Sequence, residues 1–343
     1  MLRIDPLTLD FPLSDDLVAQ EPLEKRDQAR LIVVHRDTGA IEHKKFSDVL
    51  SYLAPGDVVV INKAKVDHAR VFGKKKSGGK VEILFLGPTK EKGVWRALAR
   101  PPLKAETEIV LGSHFKATIV GRSPEGEHLV KCAFDPREVM DESGKLPLPP
   151  YIKRASSDLR SKKDDEYYQT VYASAPGSVA APTAGLHFTL DLLGELKRHG
   201  IIIVEMVLHV GWGTFRPINE SVEKHEMLPE RFEISAAAIK EIMSARADRR
   251  RIVAVGTTAT RALESLPDEP TAGAATGDTR LFIKPGFHFR YVGALVTNLH
   301  VPRSTPVSLT AAFAGLENVE RAYDAAVKER YRFYSYGDAM LVV

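Results

Sequence analysis

A run of small residues from 177 to 188 is the part of this chain best suited to hold a ligand. Its sequence is Gly-Ser-Val-Ala-Ala-Pro-Thr-Ala-Gly-Leu-His-Phe, and up to Gly185 it contains nothing bulkier than Val, Pro or Thr. Small side chains let a backbone approach a bound molecule closely. The polar members of the run are Ser178, Thr183 and His187. The run predicts a binding site, with packing alone as the alternative.

Three further polar groups follow predicted apolar strands. They are His209 with Gly211, Trp212 and Thr214; Gly256 with Thr257 and Thr258; and Asn298 with His300. In open α/β sheets, ligands usually bind beyond the carboxyl ends of strands, where such loops converge. Histidine is well suited to proton transfer near neutral pH, which makes His187, His209 and His300 candidates for catalysis. A lone histidine is otherwise more often structural.

Aromatic and charged residues near these loops extend the candidate site. Phe188, Trp212 and Phe215 could stack on a nucleobase, with core packing as the alternative. Arg261 begins a predicted helix, and we expect it to be buried by gripping a ligand carboxylate. Asp338 is expected to orient an imidazole or hold ribose hydroxyls, unless it lies in a surface turn.

The first part of the chain predicts a small β-barrel. Short β-type runs are separated by Gly, Pro and charged turns, a pattern that a sandwich would share. The predicted strands are 69–73, 81–86, 94–99, 108–111, 115–120 and 128–134.

The remainder alternates strands with helices, which predicts an α/β fold. The predicted strands are 31–35, 58–62, 201–210, 252–256, 281–284 and 294–297, and the helices are 190–199 after Thr189, 236–247 after Ser235, 259–266 and 319–331. The Ala/Gly/Thr-rich piece 271–277 is expected to be a mobile surface loop. We predict a mostly parallel sheet in α/β/α layers over 1–64 and 147–343, with an antiparallel barrel inserted at 65–146.

Composition narrows the functional classes. The 343 residues carry a net charge of +3 and a single cysteine, Cys132, which is expected to lie in the core. One cysteine excludes an intrachain disulfide framework, and no motif predicts a metal site. The chain shows no signal peptide, membrane span, dinucleotide fingerprint or Walker loop, so we expect a cytoplasmic protein. Basic residues cluster at Lys74, Lys75, Lys76 and Lys80, at Lys153, Arg154, Arg160, Lys162 and Lys163, and at Arg246, Arg249, Arg250 and Arg251. Each cluster alone is typical of a solvated surface loop, whereas all three on one face would indicate an RNA-binding surface.

The run 177–188 also resembles a signature of the S-adenosylmethionine:tRNA ribosyltransferase-isomerases of queuosine biosynthesis. The likeness continues through 77–82, 148–152, 168–172, 208–215, 255–258 with Arg261, 297–300 and 336–340. Several independent motifs in the same order make a chance match improbable.

This resemblance implies an enzyme that moves the ribosyl part of S-adenosylmethionine onto 7-aminomethyl-7-deazaguanine in tRNA. Epoxyqueuosine, adenine and methionine would be the products, and S-adenosylmethionine would be a consumed substrate, with no cofactor. The implied catalytic residues are His187, His209, His300 and Thr183; the implied substrate-binding residues are Ser178, Gly185, Phe188, Gly211, Trp212, Thr214, Phe215, Thr257, Thr258, Arg261, Asn298 and Asp338. Of the basic residues, Lys74, Lys75, Lys76, Lys80, Lys153 and Arg154 are expected to contact tRNA phosphates.

The sequence departs from the family pattern at seven positions: Lys63, Ala64, Lys65, His68, Tyr167, Leu228 and Gly293. Histidine is usual at 228, and arginine is usual at 65 and 167. These changes leave two alternatives open. One is a related enzyme that acts on another nucleobase or nucleoside, and the other is a non-catalytic relative that binds tRNA.

Overall fold

The computed structural model describes residues 2–154, 158–271 and 273–343, and it leaves the side chain of Phe215 undescribed. The chain divides into two compact units. The first consists of Met1–Ala64, Pro150–Ala175 and Ala181–Val343, and the second of Lys65–Pro149 with Pro176–Ala180.

Strands and helices follow one another along the chain. The strands are β1 (Arg30–Val34), β2 (Ile41–Lys45), β3 (Val58–Asn62), β4 (Ala64–Val66), β5 (Arg70–Lys75), β6 (Lys80–Pro88), β7 (Val94–Arg100), β8 (Glu108–Leu111), β9 (Phe115–Arg122), β10 (His128–Cys132), β11 (Ala175–Ser178), β12 (Ile202–Leu208), β13 (Glu230–Ile234), β14 (Ile252–Val255), β15 (Ala275–Thr279), β16 (Ala294–Asn298) and β17 (Ala339–Val342). The helices are α1 (Pro136–Ser143), α2 (Asp164–Tyr167), α3 (Leu190–Arg198), α4 (Ala236–Ala247), α5 (Gly256–Glu264), α6 (Thr305–Ala314) and α7 (Leu316–Lys328). Short 3-10 helices include Arg26–Gln28, Thr183–His187 and Trp212–Phe215.

The first unit is built on a mixed sheet. Among the described residues it has nine strands in the order β15-β13-β12-β3-β14-β16-β17-β1-β2. Four neighbouring pairs are parallel, namely β12 with β3, β3 with β14, β14 with β16, and β17 with β1. The other four described pairs are antiparallel. The prediction of a mostly parallel sheet is therefore not confirmed, because antiparallel strands extend both edges and β17 runs against β16.

Both faces of this sheet are covered. On one face, Val59, Ile61 and Val255 share a core cluster with Leu192 and Leu196 of α3. The alternate residues of the same strands, such as Val58 and Val60, are fully buried as well. Because successive side chains of a strand point to opposite faces, burial of both sets requires a packed layer on each side.

Side-chain caps fix where two of the helices begin. The hydroxyl of Thr189 accepts a hydrogen bond from the backbone N of Leu192 at the start of α3, at 3.1 Å. The hydroxyl of Ser235 accepts from Ala238 N at the start of α4, at 3.2 Å. Each bond satisfies a backbone donor that has no partner within its helix, and both caps were predicted from the sequence.

The second unit is a closed six-stranded antiparallel barrel in the part of the chain that the structure describes, in the order β10-β7-β6-β5-β8-β9. Val71, Ile83, Phe85 and Val130 fill its interior, and Val139 of α1 packs into the same core. The barrel prediction is confirmed. Cys132 is buried in this core, and burial raises the pKa of its thiol to about 12.

One stretch of the first unit was predicted wrongly. Strand β15 lies in and beyond the segment that was expected to be a loop, whereas residues 281–284 form no strand. The reason is edge pairing: β15 forms an antiparallel ladder with β13, from Glu230 opposite Thr279 to Ile234 opposite Ala275. The ladder satisfies the backbone hydrogen-bonding groups of this Gly-, Ala- and Thr-rich segment, whose composition alone does not predict a strand.

Candidate active site

Four adjacent parallel strands, β12, β3, β14 and β16, end at one edge of the main sheet, called here the carboxyl edge. His209 and Gly211 follow β12, Thr257 and Thr258 follow β14, and Asn298 ends β16. The structure therefore brings together the three loops that the sequence singled out, where α/β sheets generally bind ligands. The 3-10 helix Thr183–His187 packs against β16 and α5.

At this edge the amide of Asn298 joins two predicted catalytic side chains, an arrangement called here the Asn298 chain. Thr183 Oγ1 donates to Asn298 Oδ1 at 3.1 Å. The amide nitrogen Nδ2 of Asn298 lies 3.1 Å from His187 Nε2. Nδ2 also faces the carbonyl oxygen of Tyr334, at 3.4 Å. Because a carbonyl can only accept, Nδ2 is the donor, His187 Nε2 accepts, and the imidazole proton lies on Nδ1.

The environment of His187 keeps its imidazole neutral. The residue is buried, and its ring lies on Phe46 with centroids 5.0 Å apart. Burial, followed by the positive charges of Arg332 and Arg26, lowers the pKa of His187 to about 3. At neutral pH the side chain is therefore an uncharged imidazole that can donate a hydrogen bond through Nδ1, and not a positively charged imidazolium.

Two other imidazoles stand at the same edge. His300 Nε2 lies 2.6 Å from Thr297 Oγ1, and burial lowers the pKa of His300 to about 3. Its backbone N donates to the hydroxyl of Tyr323 at 3.0 Å. His209 is half-buried, and its backbone N donates to Arg231 O at 2.9 Å. The catalytic roles of both residues stay predictions.

Several buried hydroxyls around the 3-10 helix Thr183–His187 have no hydrogen-bond partner within the described residues. They belong to Thr170, Tyr172 and Thr258. A Cβ at Gly185 would collide with Tyr172 Oη, so a larger residue there would require Tyr172 to shift. A Cβ at Gly256, where φ is +88°, would stand 3.4 Å from Ala184 Cβ. Buried hydroxyls without partners are costly in a folded protein, and they indicate groups that a ligand would satisfy.

Arg261 is buried, as expected, but its carboxylate partner comes from the protein. Its guanidinium forms an ion pair with Glu230, and it also donates to the carbonyl oxygens of Leu281 and Thr279 at 2.9 and 3.3 Å. The other oxygen of Glu230 accepts from Gly211 N at 2.7 Å. Direct binding of a ligand carboxylate by Arg261 is therefore not supported, because Glu230 already occupies the guanidinium.

Two more predicted contacts are replaced by internal ones. Phe188 is 1 % exposed and packs edge-on against Phe46 at 4.9 Å, so its face is not available to a nucleobase. Asp338 accepts from the backbone N of Arg30 and of Arg332, at 3.0 and 2.8 Å, and pairs with the Arg30 side chain at 3.2 Å. It orients arginines and not an imidazole.

The remaining predicted contacts are placed as follows. Thr257 is half-buried at the start of α5. Thr214 N donates to Gly211 O at 3.3 Å, and the Arg216 guanidinium lies 5.6 Å from the Trp212 ring. The Phe215 side chain lies outside the described part. Ser178 belongs to the second unit, where its hydroxyl donates to Ala180 O at 2.7 Å.

Neither a membrane span nor a metal cluster was found in the described ranges. No helix there is long and apolar enough to cross a membrane, and no group of His, Cys, Asp or Glu there could hold a metal ion.

Comparisons with known proteins agree with these motifs. The family model described as "Queuosine biosynthesis protein" matches residues 7–342. The chain belongs to this queuosine biosynthesis family. Among its relatives is the S-adenosylmethionine:tRNA ribosyltransferase-isomerase of Thermotoga petrophila, 47 % identical over 97 % of this chain and 98 % of the relative. The enzyme of the same name from Carboxydothermus hydrogenoformans is 44 % identical with the same coverage.

A solved structure of the family is also similar. The crystal structure of the S-adenosylmethionine tRNA ribosyltransferase from Thermotoga maritima matches with a TM-score of 0.56 and 36 % identity. The match covers 97 % of this chain and 99 % of that one.

The residues that depart from the family pattern lie in different environments. Lys63 forms a surface ion pair with Glu205 at 3.1 Å, while Ala64 is fully buried and Lys65 is exposed. Leu228 packs on Gly213, where a Cβ would meet it at 3.1 Å, so it touches the segment that follows β12. Of these departures, Leu228 is the one placed against a predicted binding loop.

The basic residues predicted to bind tRNA differ in availability. Lys74, Lys80 and Lys153 are exposed, Lys75 is half-buried, and Lys76 is exposed but paired with Glu108 at 2.9 Å. Arg154 forms an ion pair with Asp164 at 2.8 Å, with only 10 % of its side chain exposed. A phosphate contact by Arg154 is therefore not supported, since Asp164 already neutralises it.

Sequence reasoning missed Arg26, Arg332 and Phe46 as neighbours of His187, and Tyr172 as a neighbour of Gly185. Tyr172 stands in one of the motifs noted above, and its hydroxyl could have been considered there. No sequence motif around the two arginines indicates that they lie near His187, because only tertiary folding brings them there.

Proposed function

We propose that this protein is an S-adenosylmethionine:tRNA ribosyltransferase-isomerase. It transfers and isomerises the ribosyl part of S-adenosylmethionine onto 7-aminomethyl-7-deazaguanine in tRNA, giving epoxyqueuosine and releasing adenine and methionine. The observation that carries this proposal is the Asn298 chain at the carboxyl edge, in a member of the queuosine biosynthesis family. S-adenosylmethionine is then a consumed substrate and not a cofactor. The second substrate in this proposal is a tRNA with the deazaguanine in its anticodon, and we expect the enzyme to act in the cytoplasm.

The reaction makes two demands on side chains. The sulfonium acidifies the adjacent ribose C5′ proton, so a base must remove it, and adenine leaves more readily when a donor binds one of its ring nitrogens. His187 fits the second demand, because its neutral ring presents Nδ1–H while Nε2 is held by Asn298. Thr258 adds a hydroxyl with no partner among the described residues.

The base is then one of the other two imidazoles. His187 Nε2 already accepts from Asn298, so a base role for His187 would require that bond to break. His209 and His300 stand at the same edge. Burial lowers the pKa of His300 to about 3, so His300 is neutral near pH 7 but a weak base, which favours His209 for this role. A neutral imidazole is the form that can accept a proton.

The direct test follows adenine release and the mass of the tRNA nucleoside together, with S-adenosylmethionine and tRNA carrying the aminomethyl deazaguanine. Matched adenine release and gain of the epoxide-bearing group are expected.

His187→Ala should lower turnover about 100-fold, the effect of losing a transition-state hydrogen bond. The exposed His199, at the end of α3, provides a control in His199→Ala. Unchanged turnover in folded His187→Ala would remove His187 from catalysis, and tRNA binding without either signal would contradict the proposed activity.

One observation favours a second candidate, an enzyme that acts on another nucleobase. Leu228 replaces the usual histidine and packs on Gly213 beside the binding loop. Adenine release should therefore also be assayed with the free base and the nucleoside. Release with one of these but not with tRNA would favour the second candidate.

A further inference from the structure

Two partly buried arginines near His187 lack a close carboxylate partner. The Arg26 guanidinium donates to the backbone oxygens of Gln169 and Glu166, at 2.6 and 2.7 Å, and forms no ion pair among the described residues. In Arg332, Nε is 3.8 Å from Asp338 Oδ1 and Nη1 is 3.4 Å from Glu21 O. The remaining nitrogen, Arg332 Nη2, is buried and has no hydrogen-bond partner within the described ranges.

Asp338 neutralises Arg332 only in part, because Arg30 shares its carboxylate. Its carboxylate pairs more closely with Arg30, at 3.2 Å, and accepts the backbone N of both Arg30 and Arg332. Arg30 and Arg332 share the buried carboxylate of Asp338, and Arg26 forms no ion pair among the described residues, so the buried carboxylate does not balance the positive charge of these arginines. The other carboxylates that act on these arginines, Glu166 on Arg26 and Glu21 on Arg332, belong to exposed residues. Because burial lowers the pKa of both Arg26 and Arg332, the site holds cations at a cost that an anion would offset.

These arginines lie next to the Asn298 chain. Both guanidinium groups lower the pKa of His187 through their charge. The segment that carries Arg332 also touches Asn298, since Tyr334 O accepts from Asn298 Nδ2 at 3.4 Å. The 3-10 helix that carries Arg26 packs on the 3-10 helix Thr183–His187. An anion bound by these residues would therefore lie beside the proposed catalytic donor.

Tyr336 adds a third donor to the group. Its hydroxyl is buried without a hydrogen-bond partner in the described part of the chain, and Arg26 acts on it electrostatically. Asp164 also acts on Tyr336, but its carboxylate is paired with Arg154. Two guanidinium groups and a phenol that still carry donors without partners have the chemistry that binds a carboxylate or phosphate oxygen.

We propose that Arg332, Arg26 and Tyr336 form a subsite for one oxyanion group of the substrate, a carboxylate or a phosphate. This inference rests on the proposed function, because that reaction supplies both kinds of group. The carboxylate would be that of the methionine part of S-adenosylmethionine, and the phosphate would belong to the tRNA backbone. Either group would pair with Arg332 Nη2 and neutralise part of the excess charge.

The carboxylate source is tested by removing that group from the ligand. Binding of S-adenosylmethionine and of decarboxylated S-adenosylmethionine to the wild-type protein is measured by calorimetry, without tRNA. Loss of a buried charged partner predicts about 100-fold weaker binding of the decarboxylated compound. In Arg332→Met the two ligands should bind almost equally, and Arg332→Lys, which keeps the charge but loses the fork, should discriminate to an intermediate degree. The wild-type comparison needs no variant, so it remains informative if Arg332→Met fails to fold.

The phosphate source predicts a different result. Arg332→Met would leave the affinities for the two small ligands unchanged. It would weaken tRNA binding and reduce the slope of log K against log salt by about 0.7 to 0.9. Arg330→Met is the matched control, because Arg330 is two residues away, 70 % exposed, and paired with Asp16. If Arg332→Met changes neither the ligand discrimination nor the tRNA salt slope, the subsite is overturned. Adenine release by the wild type tests the proposed function separately.

Discussion

At the scale of single residues, the orientation of one amide decides what His187 can do. Asn298 Nδ2 has two acceptors, His187 Nε2 and Tyr334 O, while its Oδ1 accepts from Thr183. An imidazole held in this way offers a hydrogen bond from Nδ1 and has no free lone pair for a substrate proton. A histidine that sequence alone suggests as a base is therefore better suited to assist the leaving group.

We predict that Asn298→Asp reverses this arrangement. A carboxylate can only accept, so the imidazole proton should move to Nε2 and the pKa of His187 should rise because of the new negative charge. Turnover should fall about 100-fold in a folded protein, since the Nδ1–H donor is lost. Nitrogen-15 NMR of labelled histidine reports the tautomer directly, and Thr183→Val, which removes only the other bond of the amide, is the control. A wild-type spectrum with the proton on Nε2 would contradict this assignment.

At the scale of elements, a buried ion pair ties α5 to the loop after β12. Arg261 of α5 pairs with Glu230 of β13, and Glu230 also holds Gly211 N at 2.7 Å. The side chains of Arg261 and Glu230 are 7 % and 3 % exposed. One carboxylate thus positions two of the loops at the carboxyl edge relative to each other.

Glu230→Gln should loosen that connection. It leaves a buried guanidinium without a counter-charge, so we expect a loss of about 3 kcal/mol in the free energy of unfolding, measured by urea titration. The Michaelis constant for S-adenosylmethionine should rise as well, because the loop at Gly211 loses its anchor. Glu233→Gln on the same strand is a matched control. Glu233 is 45 % exposed in its pair with Arg231, so that variant should change stability by less than about 0.5 kcal/mol. Equal losses in the two variants would show that the buried pair has no special role.

Some of these elements could be predicted from the sequence and others could not. Turn chemistry and alternation were sufficient to predict the barrel strands, and Ser235 marked the start of α4 at the observed residue. Strand β15 was missed because its pairing with β13 compensates for weak local propensity. Arg261 was predicted to be buried by a carboxylate, but a linear sequence cannot reveal that Glu230 supplies it. The loops at the carboxyl edge were predicted together, whereas Arg26 and Arg332 depend on packing between distant segments.

At the scale of the whole molecule, the buried imidazoles link folding to pH. Burial lowers the pKa of both His187 and His300 to about 3, while an imidazole in an unfolded chain titrates near 6.5. Between these values the unfolded chain binds protons that the folded protein does not. Stability therefore falls as pH falls through this window, and it is regained as pH rises above about 6.5.

From pH 6.5 to pH 5, each of these imidazoles should lower the free energy of unfolding by about 2 kcal/mol, at about 1.4 kcal/mol per pH unit. Urea titrations of the wild type and of His300→Gln at pH 7 and pH 5, at constant ionic strength, measure this loss. The variant should start less stable at pH 7, because it loses the bond to Thr297, but should lose about 2 kcal/mol less on acidification. Replacing the exposed His199 by Gln should leave the pH dependence as it is in the wild type. If the wild type and His300→Gln lose the same free energy of unfolding between pH 7 and pH 5, His300 takes up its proton in the folded protein. In that case His300 could serve as the acid as well as the base at the carboxyl edge.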